Sequence, residues 1–175
     1  MIVEPQIFRD ARGYFYESYN ARDFEAATGR KVAFVQDNQS FSRFGVLRGL
    51  HFQLPPNDQA KLVSVVRGKV LDVAVDLRKG SPTYGRYEAV ELSGDNHRKL
   101  FIPRGFAHGY LVLSRTALFQ YKCDNYYAPK FECGLAWNDP DIGIEWPVAP
   151  ADLKLSDKDR GHCLLKDFDS PFKYR

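Results

Sequence analysis

An alternation of apolar and polar residues with a period of two constrains the fold of this chain most. In the segment 70–77, apolar residues run along one face from Leu71 to Leu77, while Asp72 and Asp76 lie on the other. This period predicts a β-strand whose faces meet different surroundings. Gly, Pro, Asn and Asp separate further short candidate strands at 34–36, 61–66, 86–92, 99–102, 109–113, 117–123 and 134–137. Their spacing favours an all-β fold, a double-stranded jelly roll.

Turn and helix signals complete the predicted architecture. Gly68 supplies the glycine that a tight hairpin between segments 61–66 and 70–77 needs. One convincing helix is expected from 21 to about 28, with Asn20 as its N-cap and Gly29 as its stop. The charged tail beyond residue 152 is expected to hold one or two short helical turns. The sequence has no repeat or linker, so we expect a single domain over residues 1–175 with a few short helices.

The composition argues against several classes of protein. Charged residues make up 27% of the chain, the net charge is +3 and the basic residues are scattered, so no nucleic-acid partner is expected. The N-terminus does not resemble a signal peptide, and no apolar run approaches the ~18 residues of a membrane span. The three cysteines form no CxxC motif and fit reduced thiols, which predicts a cytoplasmic protein without a membrane partner.

A histidine in an apolar segment is the first candidate for chemistry. His51 follows Arg48 by three residues and precedes Lys61 by ten. A half-buried imidazole between two cations is expected to stay neutral, because desolvation and like charge both disfavour the imidazolium. Such a group can act as a general base. The alternative is a core histidine that donates to a backbone carbonyl.

Two motifs resemble those of cupin-type jelly rolls, which often bind a metal. The segment 45–51 matches Gly-x5-His, and the segment 103–108 matches Pro-x-Gly-x2-His. Gln53 replaces the second histidine of the first motif, and Lys61 lies where a carboxylate ligand is usual. An ammonium group would repel a divalent cation, and two imidazoles alone make a poor site. We therefore expect a cupin cavity with no metal.

Seven blocks, in order along nearly the whole chain, resemble the dTDP-4-dehydrorhamnose 3,5-epimerase family. They read DARGYFYES (10–18), FVQDN (34–38), VLRGLHFQ (46–53), IPRGFAHG (102–109), QYKCDNYY (120–127), WNDPDIGIEWP (137–147) and LSDKD (155–159). The resemblance implies a dTDP-linked 4-keto-6-deoxyhexose substrate and inversion of its carbons 3 and 5. Each inversion removes a proton next to the keto group and returns one from the opposite ring face. The substrate's carbonyl takes the electron pair, so no cofactor is expected.

The resemblance also assigns roles in the reaction. His51 would be the base, and Asp159 would orient its ring and stabilise its protonated form. Tyr121 would be the acid on the opposite face. Lys61 would meet the enolate oxygen. His108 would line the cavity and bind the sugar.

A second set of residues is expected to bind the substrate. Arg12 and Arg48 have the bidentate geometry that suits a diphosphate. By resemblance, Tyr127 stacks on thymine, and contacts to nucleotide or sugar come from Glu17, Gln36, Asp37, Asn38, Glu132 and Lys158. The family forms homodimers that exchange N-terminal strands, so some contacts are expected from the partner subunit.

Three other functions stay open at this point. The first is a relative that inverts carbon 3 or carbon 5 alone, or that moves the keto group. The second is a non-catalytic jelly-roll binder of nucleotide sugars, although a binder needs no full set of base, acid and cation. The third is a metal-dependent cupin oxygenase, against which Gln53 argues.

Overall fold

The structure is a computed structural model that describes residues 1–174. Within these residues the strands are β1 (Ile2–Val3), β2 (Phe8–Asp10), β3 (Gly13–Phe15), β4 (Gln36–Arg43), β5 (Leu47–Gln53), β6 (Lys61–Arg67), β7 (Lys69–Asp76), β8 (Tyr87–Ser93), β9 (Lys99–Ile102), β10 (Phe106–Val112), β11 (Thr116–Cys123) and β12 (Glu132–Gly134). The α-helices are α1 (Ala21–Thr28) and α2 (Asp157–Arg160), and single 3-10 turns occupy Pro129–Phe131, Pro150–Asp152 and Leu165–Asp167. No helix in residues 1–174 has the length and apolar character needed to cross a membrane.

Two five-stranded antiparallel sheets face each other. The first sheet has the order β1-β9-β6-β11-β4, and the second has the order β12-β5-β10-β7-β8. The strands β2 and β3 form a separate hairpin. Two facing sheets with a few short helices confirm the predicted all-β class.

The core between the sheets follows the period of two. On β7, Val70 and Ala74 point inward and pack with Val63 and Phe119 of the first sheet. Asp72 lies between them on the same inward face and is fully buried. A charged group is therefore placed inside the molecule by the strand period alone.

The opposite face of β7 is the predicted apolar face. Val73, Val75 and Leu77 pack outside the second sheet against Ile142 and Phe172 of the C-terminal segment. The second sheet is thus buried on both faces. This confirms that the odd positions of the segment 70–77 share one face.

The predicted helix is confirmed with both of its ends. The side chain of Asn20 accepts a hydrogen bond from the backbone of Arg22 at 3.0 Å, and Gly29 ends the helix with a φ of +65°. Phe24 is the buried residue of α1 and packs against Leu62 and Phe101 on the outer face of the first sheet. Short helical turns also occur in the tail, as expected.

The predicted hairpin at Gly68 is wrong. Strands β6 and β7 belong to different sheets and do not pair, so the chain crosses between the sheets at this residue. Gly68 has a φ of +85°, and a Cβ there would lie 2.1 Å from the carbonyl oxygen of Thr116. A glycine is therefore needed here because the backbone is too crowded for a side chain where the chain crosses between the sheets.

Several strands differ from the prediction: β1, β2, β3 and β5 were not among the candidates, and β10 begins at Phe106 instead of residue 109. The first long strand, β4, begins at Gln36 instead of residue 34, and the last, β12, ends at Gly134, where the sequence placed a beginning. The segment after Gly134 continues with a single bridge from Leu135 to Cys163. This segment is apolar because it is buried beneath the C-terminal tail. A short apolar run of this kind cannot be distinguished from a strand by its sequence pattern.

A buried carboxylate ends β7 and should contribute to stability. Asp76 accepts hydrogen bonds from the guanidinium of Arg78 at 2.7 and 2.8 Å, from the hydroxyl of Ser81 at 2.6 Å and from that of Thr83 at 2.8 Å. Burial alone would raise the pKa of Asp76, but these donors outweigh it and lower the pKa to about 2. Because the folded-state pKa lies below the unfolded value, the stabilisation is present above that value and is lost as pH falls towards 2.

We predict that Asp76→Asn lowers the free energy of unfolding at pH 7 by about 2 kcal/mol, the equivalent of the pKa shift. Roughly half of this difference should disappear near pH 3. Urea unfolding followed by Trp fluorescence at both pH values measures it. Asp169→Asn is the control, since that carboxylate is 94% exposed in its pair with Lys79 and should contribute below about 1 kcal/mol. Equal effects of the two substitutions would contradict the prediction.

Candidate active site

The strand register gathers polar side chains between the sheets. In the second sheet, His51 on β5 is paired with His108 on β10. In the first sheet, Tyr121 on β11 lies one alternate position from Cys123, which is paired with Lys61 on β6. Directly paired residues of antiparallel strands point to the same face. These groups therefore face one another across the interior.

A bulge in β5 places Arg48 on the same face as His51. The register shifts here, because His51 pairs with His108 while Arg48 pairs with Tyr110. Two residues of β5 thus oppose one residue of β10. Gly49 permits this with a φ of +137°, and a Cβ there would lie 2.5 Å from the β10 backbone. A residue with a side chain at this position would clash with the backbone of β10, so the bulge requires glycine.

His51 forms a hydrogen-bonded dyad with Asp159. Its Nε2 lies 2.5 Å from Oδ1 of Asp159, whose side chain is 5% exposed. The other carboxylate oxygen accepts from the hydroxyl of Ser156 at 2.7 Å. Burial alone would raise the pKa of Asp159, but the bonds from His51 and Ser156 outweigh it and lower the pKa. An ionised Asp159 fixes the ring, so the interpretation of His51 as a core histidine on a backbone carbonyl is wrong.

A second histidine–carboxylate pair lies deeper in the sheet. Nε2 of His108 is 2.9 Å from Oδ2 of Asp72, and both side chains are buried. Burial lowers the pKa of His108 and raises that of Asp72, because neither charge is solvated there. Oδ1 of Asp72 has no hydrogen-bond partner within residues 1–174. His108 therefore lies between the two sheets, opposite His51 on the neighbouring strand.

Lys61 and Tyr121 occupy the facing wall. The ammonium of Lys61 lies 5.8 Å from the centre of the Tyr121 ring. Burial lowers the pKa of Lys61, although Asp72 and Glu132 oppose the shift. Burial also raises the pKa of Tyr121 to about 12, so its hydroxyl keeps its proton at neutral pH. The wall therefore offers a poorly solvated cation beside a proton donor.

The mouth of the cavity carries a charged cluster. Oε2 of Glu132 lies 2.5 Å from the ammonium of Lys158 and accepts from the hydroxyl of Tyr127 at 2.6 Å. Burial alone would raise the pKa of Glu132, but Lys158 and Tyr127 outweigh it and lower the pKa. The backbone of Tyr127 also donates to the side chain of Gln36 at 2.8 Å. Four of the predicted binding residues are thus connected by hydrogen bonds and one ion pair.

Strand alternation separates the predicted residues of β4. Gln36 and Asn38 point inward and are joined by a hydrogen bond of 3.1 Å. Asp37 lies on the outer face, where its carboxylate is 71% exposed and pairs with Lys122 at 3.0 Å. The structure therefore does not bring Asp37 to the cavity of its own chain.

Two further predicted residues lie away from the cavity. Arg12 is in the turn of the β2–β3 hairpin, where its side chain is 90% exposed and pairs with Asp10. Glu17 is exposed in the segment that leads to α1. Neither joins the residues between the sheets of this chain.

Three polar residues at the site were not among the predicted ones. Asp72 is a charged residue between the apolar residues Val70 and Ala74 on the inward face of β7, and the alternation with a period of two was a signal that could have identified it. Ser156 precedes Asp159 by three residues, the spacing of an N-cap. Gln53 entered the sequence argument only as a missing metal ligand.

The side chain of Gln53 is committed to neighbouring loops. Its amide nitrogen donates to the carbonyls of Asn57 at 2.6 Å and Tyr126 at 3.2 Å, and its oxygen accepts from the backbone of Ala128 at 2.7 Å. His108, the histidine of the second cupin motif, already binds the carboxylate of Asp72. The donor set of the cupin motifs is therefore engaged in protein contacts, which is a poor fit to a metal centre.

The arrangement provides acid–base chemistry on both faces of a bound ring. A histidine that is hydrogen-bonded to a carboxylate lies in the second sheet, and a protonated tyrosine beside a lysine lies in the first sheet. A planar centre held between the sheets could lose a proton to one wall and receive a proton from the other. Inversion next to a carbonyl needs this arrangement.

Comparisons with known proteins identify the family of the chain. A model of the family dTDP-4-dehydrorhamnose 3,5-epimerase matches residues 1–167. The Shigella flexneri enzyme of that name is 57% identical over 159 residues, covering 91% of this chain and 87% of the relative. The Salmonella typhimurium enzyme is 54% identical over 165 residues, covering 94% of this chain and 90% of the relative.

A solved structure extends the likeness to the fold. It is that of dTDP-6-deoxy-D-glucose-3,5-epimerase from Legionella pneumophila, in complex with dTDP-4-keto-L-rhamnose. It has a TM-score of 0.95 and 49% sequence identity, and the match covers 99% of this chain and 93% of that one. The cupin-type jelly roll predicted from the motifs is thereby confirmed, and the chain belongs to the dTDP-4-dehydrorhamnose 3,5-epimerase family.

Proposed function

We propose that the chain converts dTDP-4-dehydro-6-deoxy-D-glucose to dTDP-4-dehydro-L-rhamnose, a step of dTDP-L-rhamnose biosynthesis, without a cofactor. The observation that carries the proposal is the placement of the His51–Asp159 dyad and Tyr121 on facing sheets. Relatives with this activity are 54–57% identical over at least nine-tenths of the chain. The match also supports a single epimerase domain over residues 1–175.

Proton removal is the task of His51. Its Nε2 is engaged with Asp159, so Nδ1 is the ring nitrogen that remains for the substrate. The electron pair of the broken C–H bond forms a carbon–carbon double bond, and the carbonyl electrons move onto the oxygen at carbon 4. The imidazolium that results lies against an ionised Asp159, which stabilises it.

The oxygen at carbon 4 would meet Lys61, and the new C–H bond would use the proton of Tyr121. A buried ammonium stabilises a developing oxyanion more strongly than a solvated one, because no water screens it. Tyr121 keeps its proton until the enolate forms, since its pKa is raised to about 12. Return of a proton from solvent to the phenolate, and loss of the proton on His51, restore the site.

The nucleotide would bind at the mouth. Tyr127 is 52% exposed and can offer its ring to thymine. Arg48 is held by a hydrogen bond from its Nε to the hydroxyl of Ser42 at 3.2 Å, which leaves the terminal nitrogens for a diphosphate. Glu132 and Lys158 would contact the sugar nucleotide at the rim, together with Gln36 and Asn38.

A homodimer would complete the site. The β2–β3 hairpin exposes Phe8 and Phe15, at 54% and 70%, and an unpaired apolar hairpin favours a partner. Exchange of N-terminal strands would bring Arg12 and Glu17 to the other subunit's cavity. The dimer and the cytoplasmic location stay predictions.

Proton exchange tests the function directly. We expect protein in deuterated water to remove the NMR signals of the hydrogens on carbons 3 and 5 of dTDP-4-keto-6-deoxyglucose. His51→Asn should slow exchange at both carbons by ~10²-fold or more, because the base is lost. Exchange at one carbon would identify a single-centre epimerase. No exchange with the wild-type protein would overturn catalysis on this substrate and favour a binder.

The acid can be tested apart from the base. Tyr121→Phe should lower the rate of epimer formation by ~10²–10⁴-fold, because no donor remains on that face. Exchange with retained configuration should continue, since His51 can return a solvent deuteron to the same face. Chromatography of the products together with NMR distinguishes the two processes. The control is Tyr110→Phe, which removes an interior hydroxyl bonded to Ser40 at 2.8 Å. Equal rates of epimer formation in both variants would contradict the assignment.

The loop contacts of Gln53 predict a change in binding. Gln53→Glu keeps the size but sets a carboxylate against the carbonyls of Asn57 and Tyr126. The loop that carries Tyr127 should loosen, so KM should rise about tenfold with little change in kcat. Steady-state kinetics measures both, with circular dichroism as the check on folding. A fall in kcat at constant KM would show that the residue does not act through this loop.

A further inference from the structure

One histidine beside the dyad has no part in the proposed reaction. His162 lies just after α2, its side chain is 11% exposed, and its Nε2 is buried without a hydrogen-bond partner in residues 1–174. A buried imidazole nitrogen without a partner is costly, so its retention calls for an explanation. Its Nε2 lies 3.8 Å from Oδ1 of Asp159, the same oxygen that binds His51.

We propose that His51, Asp159 and His162 form a binding site for Zn²⁺ and that the bound ion inhibits the enzyme. The three ligand atoms lie within 4.8 Å of one another. Two imidazoles and one carboxylate form a common three-ligand set for zinc that leaves a fourth position open. This site differs from the cupin motif, because it uses neither Gln53 nor His108.

The distances suit a tetrahedral ion after small movements. With Zn–N and Zn–O bonds of about 2.0–2.1 Å, ligand atoms lie roughly 3.3 Å apart. The observed separations of 2.5 Å to His51 and 3.8 Å to His162 lie on either side of that value. The two rings are 5.5 Å apart at 79°, close to the roughly 5 Å expected for two imidazoles on one tetrahedral ion.

Gly134 packs on the ring of His162 without blocking its Nε2. A Cβ on Gly134 would lie 2.5 Å from Nε2 and 2.6 and 2.7 Å from the adjacent ring carbons. These nearly equal distances place Gly134 against the face of the ring, so the lone pair in the ring plane is not covered. The nearest ammonium on α2, that of Lys158, is paired with Glu132 at 2.5 Å, which reduces its repulsion of a cation.

Inhibition follows from the chemistry of the imidazole. An ion on Nε2 of His51 displaces the proton shared with Asp159, and that proton moves through solvent to Nδ1, because a neutral imidazole bound to a metal through one nitrogen carries its proton on the other. A ring that carries its proton on Nδ1 has no lone pair there to accept a proton from the substrate. Zinc binding therefore removes the base. This consequence rests on the proposed function, whereas binding itself does not.

Titration calorimetry of metal-free protein with Zn²⁺ tests the site. We expect one ion per chain for the wild type and at least tenfold weaker binding for His162→Phe, which keeps an aromatic ring against His51. His162→Leu serves as a second variant if the first does not fold. Cys163→Ser is the matched control, because that exposed thiol is the adjacent alternative ligand. Mg²⁺ should not bind, since it prefers oxygen ligands.

The same variants test inhibition by deuterium exchange. Zn²⁺ should stop exchange in the wild type and in Cys163→Ser, chelator should restore it, and His162→Phe should need at least tenfold more zinc. Binding that is unchanged in His162→Phe, or lost in Cys163→Ser, would overturn the proposal. Absence of binding to the wild type would do the same. Failure of exchange without zinc would refute the proposed function only, because calorimetry still decides the metal site.

Discussion

The attachment of the C-terminal segment to the second sheet is the constraint on which the site depends. Backbone hydrogen bonds join Leu47 to Lys154 at 3.0 Å and Ala136 to Cys163 at 2.8 Å. Between these two anchors lies α2, which carries Asp159. Its carboxylate can meet His51, 108 residues earlier in the chain, only while both anchors hold. The same segment covers the outer face of the second sheet, so the energy that closes the fold also assembles the dyad.

Burial shifts the pKa values of polar groups at the site and requires that these groups find partners. Lys61 and Tyr121 both have pKa values shifted by desolvation, which keeps the proton on the phenol and leaves the ammonium poorly solvated. Such groups are costly in an apolar interior unless they find partners. The histidines His51 and His108 find carboxylate partners, and each of these pairs joins distant segments. Reactivity and stability therefore draw on the same hydrogen bonds.

Sequence reasoning succeeded where information is local and failed where it is not. The period of two in β7 identified the fold class but did not show that the face with Asp72 is the inner one, whereas local signals fixed both ends of α1. The prediction of a hairpin at Gly68 failed because a glycine turn does not reveal whether the next strand joins the same sheet. The contact of Asp159 with His51 follows from the attachment of the tail, so only family resemblance could suggest it. Arg12 and Glu17 are exposed away from the cavity of their own chain, so their predicted role depends on the proposed partner subunit.

The position of Gln53 shows how one strand can serve a different chemistry. In the cupin motif this inward position carries a metal ligand, but here its amide holds the loops on either side of the cavity mouth through three hydrogen bonds. The residue that replaces a metal ligand thus holds the loop that carries Tyr127. A reaction that uses the substrate's carbonyl as its electron sink needs accurate placement of the sugar more than a Lewis acid. The change at this residue therefore favours positioning of the nucleotide over coordination of an ion.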